Sequence, residues 1–223
     1  MTEQIHVVAE AIQLLADRCP RLASRCYWAG TSSIAAEDLG HRESFDLDFH
    51  TKKALADLRP ILAEIERAFP GCFDVLQTPD EFGSGFRGVL TLPGGASIII
   101  EALSNYEDVP SEDLVPSSIA PNIQRVKLER YLADKIQCVA ERTEARDLFD
   151  IHAVLQRRPE LVPAARRLVG QQDALLLAER LLAWTDDDIA EDLRPYSGVS
   201  PTDASRARDM LLQWLRLEPE SKP

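Results

Sequence analysis

The sequence predicts an α+β fold, in which a mixed sheet with flanking helices is followed by a mostly helical C-terminal half. Two observations support this prediction. The strand candidates all lie before residue 104, whereas the 3.6-residue apolar periodicity of helices dominates after residue 123. The intervening residues 104–123 are rich in proline, serine and acidic residues and are predicted to form a loop or linker.

In the first half, apolar residues recur every three or four positions over residues 3–18, which predicts an amphipathic helix. A second helix is predicted to start at Thr31 or Ser32, either of which can cap it, and to reach Leu39 before Gly40 ends it. The remaining predicted elements are a helix at 53–68 and strands at 25–29, 46–50, 72–77, 85–92 and 96–103, with Pro93-Gly94-Gly95 as a hairpin turn.

In the second half the apolar pattern is almost wholly helical, and residues 218–223 are predicted to be frayed. The change in pattern predicts two domains, residues 1–120 carrying the sheet and residues 121–223 forming a helical domain. The predicted helices of the second domain are 124–141, 144–157, 160–168, 171–185 and 202–216.

Composition places the chain among ordinary globular proteins, because 45% of its 223 residues are hydrophobic and 28% are charged. It has no apolar run long enough to span a bilayer and no signal-peptide pattern at its start, which predicts a cytoplasmic protein without membrane contact. Cysteines without Cys-x-x-Cys spacing predict free buried thiols and argue against a zinc site or disulfide framework: Cys19, Cys26, Cys72 and Cys138.

The net charge of −12 argues against simple bulk attraction to nucleic acid. Charge is unevenly distributed, however, since residues 121–170 hold ten Lys or Arg against seven Asp or Glu. If RNA binds, we expect this basic segment to contact it, although ordinary solvated helix charges explain the same pattern. The arginines at its edge are Arg157, Arg158, Arg166 and Arg167.

Asp46-Leu47-Asp48 lies sixteen positions after Gly30-Thr31-Ser32. Alternate residues of a strand point the same way, so the two aspartates can share a ligand while Leu47 faces the core. Two close carboxylates repel unless a cation neutralises them, and Mg²⁺ bound to nucleotide phosphates is the usual cation for such a pair. Gly30 would let the backbone approach phosphate before a helix N-terminus, so the pattern predicts nucleotidyl transfer.

Two further candidates have both a functional and an ordinary explanation. Glu101 ends the apolar strand Ser97–Ile100 and is predicted to be a third metal ligand, the alternative being a surface glutamate. Lys135 falls on the apolar side of its helix, where a lysine is uncommon unless it reaches a buried anion; otherwise Asp134 or Glu129 would pair with it.

Two separate motifs resemble those of the AbiEii-type nucleotidyltransferase toxins, a MenT-like group of the nucleotidyltransferase superfamily. The first combines Trp28-Ala29-Gly30-Thr31-Ser32 with His41-Arg42-Glu43-Ser44-Phe45-Asp46-Leu47-Asp48-Phe49. The second is helical and combines Leu132-Ala133-Asp134-Lys135, Arg142 and Ala145-Arg146-Asp147-Leu148-Phe149-Asp150-Ile151. Two motifs in the family's order are much more specific than either alone.

The resemblance implies a nucleotidyltransferase core at 1–120, with a helical domain at 121–223 that completes the active site. It implies the toxin of a bacterial toxin–antitoxin or phage-defence system, which uses Mg²⁺ or Mn²⁺ and a nucleoside triphosphate, with tRNA 3′ ends as an acceptor and a cognate antitoxin as a possible partner. The expected catalytic residues are Asp46, Asp48, Lys135 and Asp147, the metal ligands Asp46, Asp48 and Glu101, and the nucleotide-binding residues Gly30, Thr31, Ser32, Arg42, Ser44, Lys135 and Arg142.

Other interpretations remain open at this point. The same core would serve transfer to a small molecule such as an aminoglycoside, whose positive charge the acidic chain would attract, or to a protein hydroxyl. A catalytically idle nucleotide-binding module is a third interpretation. In the second motif, Arg146 and Asp150 are four positions apart and could form a plain surface pair.

Overall fold

The computed structural model describes residues 3–142 and 144–216. These residues form two compact units, one extending up to Lys127 and the other beginning at Leu128. Unit 1 contains the sheet, and unit 2 is helical. The predicted α+β class is therefore confirmed. Among the described residues, every helix is too short or too polar to span a lipid bilayer.

Unit 1 is built around one mixed sheet of seven strands, in the spatial order β3-β4-β5-β2-β1-β7-β6. The central pairs are β1 with β2, which is antiparallel, and β2 with β5 and β1 with β7, which are parallel. The outer pairs are antiparallel. The strands are β1 (Cys26–Ala29), β2 (Asp46–Thr51), β3 (Phe73–Gln77), β4 (Gly85–Thr91), β5 (Ser97–Leu103), β6 (Leu114–Pro116) and β7 (Gln124–Val126).

The two faces of the sheet differ sharply in polarity. Leu47, Phe49 and Ile100 are fully buried on one face, where strand alternation directs them into the main core. The other face carries the intervening polar residues, among them Asp48 and Glu101, which are only partly buried. The helices that pack on the apolar face are α1 (Glu3–Arg18), α2 (Pro20–Arg25) and α4 (Arg59–Ala68).

A helical run leaves β1 directly. It consists of α3 (Gly30–Ile34) and a π-helical turn (Ala35–Leu39), and Gly40 closes it with a φ of +58°. A left-handed glycine is the usual way to end a helix, and this agrees with the predicted end at Leu39.

Three predicted boundaries in unit 1 are wrong. The helix predicted at 53–68 begins at Arg59, because Leu55 has a φ of +49° and Pro60 occupies the first turn. Residues 124–126 form β7 instead of the start of a helix, and the predicted loop 104–123 includes β6. Both short strands form by pairing with segments that are distant in sequence, and their own residues give little indication of a strand.

Unit 2 contains six α-helices among the described residues. The predicted segment 171–185 is shorter in the structure, because Asp173 accepts hydrogen bonds from the Leu175 and Leu176 amides and caps a helix that starts at Ala174. The predicted fraying of 218–223 lies outside the described residues. The helices are α5 (Leu128–Glu141), α6 (Ala145–Arg157), α7 (Val162–Gly170), α8 (Ala174–Ala183), α9 (Asp186–Leu193) and α10 (Pro201–Arg216). Helix α9, like α2 of unit 1, has no counterpart in the prediction.

The thiols follow the prediction only in part. All four cysteines are free, and burial raises the pKa of Cys19 and of Cys26 to about 12. Cys72, however, is exposed and Cys138 is half-buried, so the prediction that all four are buried is wrong.

Candidate active site

The turn between β1 and α3 lies directly against the aspartate pair. Gly30 has a φ of +69°, and a Cβ atom placed on it would come within 2.0 Å of the Asp48 Oδ2 atom. Only glycine fits such a position, because both the backbone conformation and the contact exclude a side chain. The sequence motif Gly-Thr-Ser thus brings backbone amides next to a carboxylate.

Hydrogen bonds hold this turn in shape. The Trp28 Nε1–H donates to the Ser32 Oγ at 3.0 Å, and the Ser33 hydroxyl donates to the Gly30 carbonyl at 2.9 Å. The Arg42 Nη2 donates to the Thr31 Oγ1 at 2.9 Å. Thr31, Ser32 and Arg42 are all buried, so their side chains support the turn from within.

Asp46, Asp48 and Glu101 lie on the more polar face of the sheet. Asp48 is directly opposite Glu101 on the parallel neighbour β5, so their backbones are about 4.8 Å apart. Asp46 is two positions earlier on β2, and the Ser44 hydroxyl donates to its Oδ1 at 2.7 Å. The predicted third carboxylate is therefore next to the aspartate pair, with Gly30 on the opposite side of Asp48.

These oxygens suit a hard divalent cation such as Mg²⁺. Magnesium is commonly held by one or two carboxylates together with substrate phosphates. Within residues 3–142 and 144–216, however, no group of three or more His, Cys, Asp or Glu side chains is arranged to hold an ion. Asp46, Asp48 and Glu101 therefore do not form a preassembled three-carboxylate site, and phosphate oxygens would have to supply further ligands.

The helical motif of unit 2 forms a buried ionic cluster. The Lys135 Nζ lies 2.6 Å from Asp147 Oδ1 and 2.8 Å from Asp150 Oδ2, and both carboxylates are fully buried. Arg142 donates to both oxygens of Asp147 at 2.9 and 3.0 Å. Burial alone would lower the pKa of Arg142, but the hydrogen bond and charge of Asp147 raise it above its ordinary value.

The contacts of this motif bear on two expectations about pairing. The Arg146 guanidinium bonds to Glu144 at 2.7 Å and lies over the Tyr196 ring, whereas Asp150 is fully buried and contacts Lys135. Lys135 contacts Asp147 and Asp150, whereas Asp134 and Glu129 contact Arg130 and Arg158 respectively.

Asp150 is the residue of this cluster whose contact with Lys135 the sequence did not reveal. The available signal was its spacing of three positions from Asp147, which puts both carboxylates on one side of α6. Of the arginines at the edge of the basic segment, Arg158 is already paired with Glu129 and Glu160.

The family model described as the nucleotidyl transferase AbiEii toxin of type IV toxin–antitoxin systems matches residues 14–214. No curated protein matches the sequence.

Several solved structures share the fold. JHP933 from Helicobacter pylori is 18% identical with a TM-score of 0.53, over 97% of this chain and 95% of that one. A second Helicobacter pylori protein is 19% identical with a TM-score of 0.56, over 99% and 100%. The nucleotidyltransferase toxin MenT4 from Mycobacterium tuberculosis is 16% identical with a TM-score of 0.53, over 96% and 85%.

Proposed function

The chain belongs to the family of AbiEii nucleotidyl transferase toxins, and from this premise we propose that it transfers a nucleoside monophosphate to the 3′-hydroxyl of an RNA such as tRNA. The observation that carries the proposal is the contact of Gly30 with Asp48, with Glu101 beside Asp48 on the next strand. A phosphate-binding turn and a carboxylate pair at one point are what attack on an α-phosphate requires.

The turn and the carboxylates have separate tasks in this proposal. The amides at the start of the helical run Gly30–Leu39 bind the β- and γ-phosphates, because a helix N-terminus offers free N–H groups and a positive dipole end. Asp46, Asp48 and Glu101 would hold Mg²⁺, or Mn²⁺. Such an ion would supply positive charge to the phosphates of the nucleotide.

The reaction forms one bond and breaks another. The acceptor hydroxyl oxygen bonds to the α-phosphorus, the bond from that phosphorus to the β-bridging oxygen breaks, and pyrophosphate leaves. The hydroxyl proton passes to a carboxylate or to water.

In the helical motif, Lys135 and Asp147 are proposed to be required as well. The contacts of Asp147 favour a positioning role for it, because its two oxygens already accept bonds from Lys135 and Arg142.

Asp48→Asn tests the proposal, because it removes a charge while keeping the shape of the side chain. Purified protein with Mg²⁺ and each labelled nucleoside triphosphate is incubated in turn with total tRNA. We expect one or more nucleotides to label RNA with the wild-type protein, and Asp48→Asn to lower the rate by at least about a hundredfold. Asp74→Asn is the matched control, since Asp74 is an exposed strand aspartate on β3.

Three outcomes would change the proposal. Labelling of a protein or of an aminoglycoside in place of RNA would support the other acceptors, and the net charge of −12 favours a cationic one. Metal-dependent nucleotide binding without transfer to any of these would support the idle module. Equal activity of Asp48→Asn and wild type would remove Asp48 from the mechanism.

A further inference from the structure

Arg87 lies in the same cross-strand row as the candidate metal ligands. On β4 it is directly opposite Glu101 of β5, Glu101 is opposite Asp48 of β2, and Asp48 is opposite Ala29 of β1. Residues directly opposite each other in a sheet project from the same face. One row therefore runs from the phosphate turn, across two carboxylates, to a guanidinium.

In the part of the chain that the structure describes, this guanidinium has no side-chain or backbone partner. Arg87 is exposed, and among the described residues its side chain makes no hydrogen bond or salt bridge. Within the described residues Arg87 forms no salt bridge even with Glu101, although opposite charges that face each other across two strands commonly pair. By contrast, the guanidiniums of Arg42, Arg125 and Arg142 bond to protein groups. Within the described part of the chain, all donors of Arg87 are therefore available to a ligand.

The side from which the acceptor approaches the α-phosphorus determines whether Arg87 can contact it. Strands are about 4.8 Å apart, so Ala29 and Arg87 are separated by roughly 14 Å, with Asp48 and Glu101 between them. With the β- and γ-phosphates on the Gly30 turn, pyrophosphate leaves toward β1. The attacking and leaving oxygens lie nearly in line through phosphorus, so the acceptor must approach from the side of β5 and β4, where Arg87 is.

We propose that Arg87 binds a backbone phosphate of the RNA acceptor next to its 3′-terminal hydroxyl, an assignment that rests on the proposed function. A guanidinium is suited to phosphate because its planar fork donates two parallel hydrogen bonds. The same charge repels a cationic acceptor, so Arg87 favours nucleic acid over an aminoglycoside. Arg87 is an acceptor-binding residue, and the triphosphate lies beyond its reach on the far side of Asp48.

Arg87→Gln and Arg67→Gln test this assignment as a pair. Arg67 is likewise exposed and without a side-chain partner among the described residues, but it lies on α4, which covers the apolar face of the sheet. Both variants and Arg87→Lys are compared with wild type for transfer to tRNA. Binding of a fluorescein-labelled single-stranded RNA with a free 3′-hydroxyl is measured by anisotropy at several salt concentrations, which does not depend on turnover.

We expect Arg87→Gln to raise KM for tRNA and Kd for the labelled RNA about tenfold, as the loss of one charged contact does. The slope of log Kd against log salt should fall by about 0.7, the value for one phosphate on a single strand. The kcat value and KM for the nucleotide should stay within about twofold of wild type. Arg87→Lys should recover part of the affinity, and Arg67→Gln should match wild type.

Three results would overturn the inference. Arg87→Gln could behave like Arg67→Gln while the wild type labels and binds RNA, which leaves the proposed function intact. It could raise KM for the nucleotide as much as KM for tRNA, which would assign Arg87 to the triphosphate. Finally, a wild-type protein that neither binds nor labels RNA would remove the RNA acceptor and, with it, this role of Arg87.

Discussion

Gly30 is the residue on which the geometry of the candidate site depends most directly. Gly30→Ala would force its Cβ against the Asp48 carboxylate, so we expect transfer to fall by at least about a hundredfold. The positive φ adds a stability cost of about 1–2 kcal/mol for any L-residue. Transfer rates and urea unfolding measure the two effects.

Gly71→Ala separates these contributions, because Gly71 has a φ of +71° and open space around its missing side chain. We expect it to lose a similar amount of stability from the backbone while retaining wild-type transfer. If both variants kept full activity, the close contact between Gly30 and Asp48 would not be needed for transfer.

Part of this site can be predicted residue by residue. The alternation in Asp46-Leu47-Asp48 is sufficient to place both carboxylates on one face, and the apolar run before Glu101 indicates a strand next to the core. The register that puts Glu101 opposite Asp48 and Arg87 opposite Glu101 depends on pairing between strands. Nothing in the local sequence of β4 identifies Arg87 as facing the carboxylates.

At the scale of elements, helices α5 and α6 are joined by the Lys135 cluster. Lys135→Ala would remove a cation from two fully buried carboxylates, so we expect the free energy of unfolding to fall by about 3–5 kcal/mol. Loss of transfer in this variant would then combine a chemical and a structural effect. Assays at a temperature where circular dichroism shows the variant to be folded separate the two.

Arg130→Ala provides the comparison, because Arg130 pairs with Asp134 on the same helix and their side chains are 37% and 40% exposed. Such a pair contributes less than about 1 kcal/mol. Equal destabilisation by the two variants would show that burial does not increase the contribution of the Lys135 cluster to the free energy of unfolding.

Local sequence patterns do not determine every boundary of the helices and strands. The apolar periodicity around Leu58 and Ile61 correctly indicates a helix, but it also includes Leu55, whose left-handed backbone no periodicity reveals. Strand β7 is three residues long and exists because β1 and β6 pair with it. Its local composition is equally compatible with the helix predicted there.

At the scale of the whole molecule, Glu37 ties distant parts of unit 1 together. It follows α3 in the π-helical turn, its side chain is 2% exposed, and its carboxylate accepts hydrogen bonds from Ser117, Ser118 and Arg125. Burial alone would raise the pKa of Glu37, but these bonds and the charge of Arg125 hold it below its usual value of 4.5. Its charged form therefore stabilises the fold.

The direction of the pH effect follows from this lowered pKa. The contribution of Glu37 is fully present above the unfolded pKa and is lost as pH falls through the folded one. We expect the free energy of unfolding to fall between about pH 5 and pH 3, and Glu37→Gln to be less stable at pH 7 with a shallower fall. Urea unfolding across this range measures both, with Glu66→Gln on the exposed side of α4 as control. Coincident curves for the two variants would contradict this account.

The parallel pairing of β1 with β7 has a consequence for biosynthesis. Trp28 lies two residues before Gly30, yet its strand neighbour Arg125 is encoded almost a hundred codons later. At about 5–20 residues per second, a ribosome takes roughly 5–20 s to bridge that interval. Until then one edge of β1 is open, so a nascent chain carries the two candidate metal-binding aspartates long before the strand that leads into the Gly30 turn is flanked on both sides. The long sequence separation between β1 and β7 thus delays completion of the sheet around the candidate site.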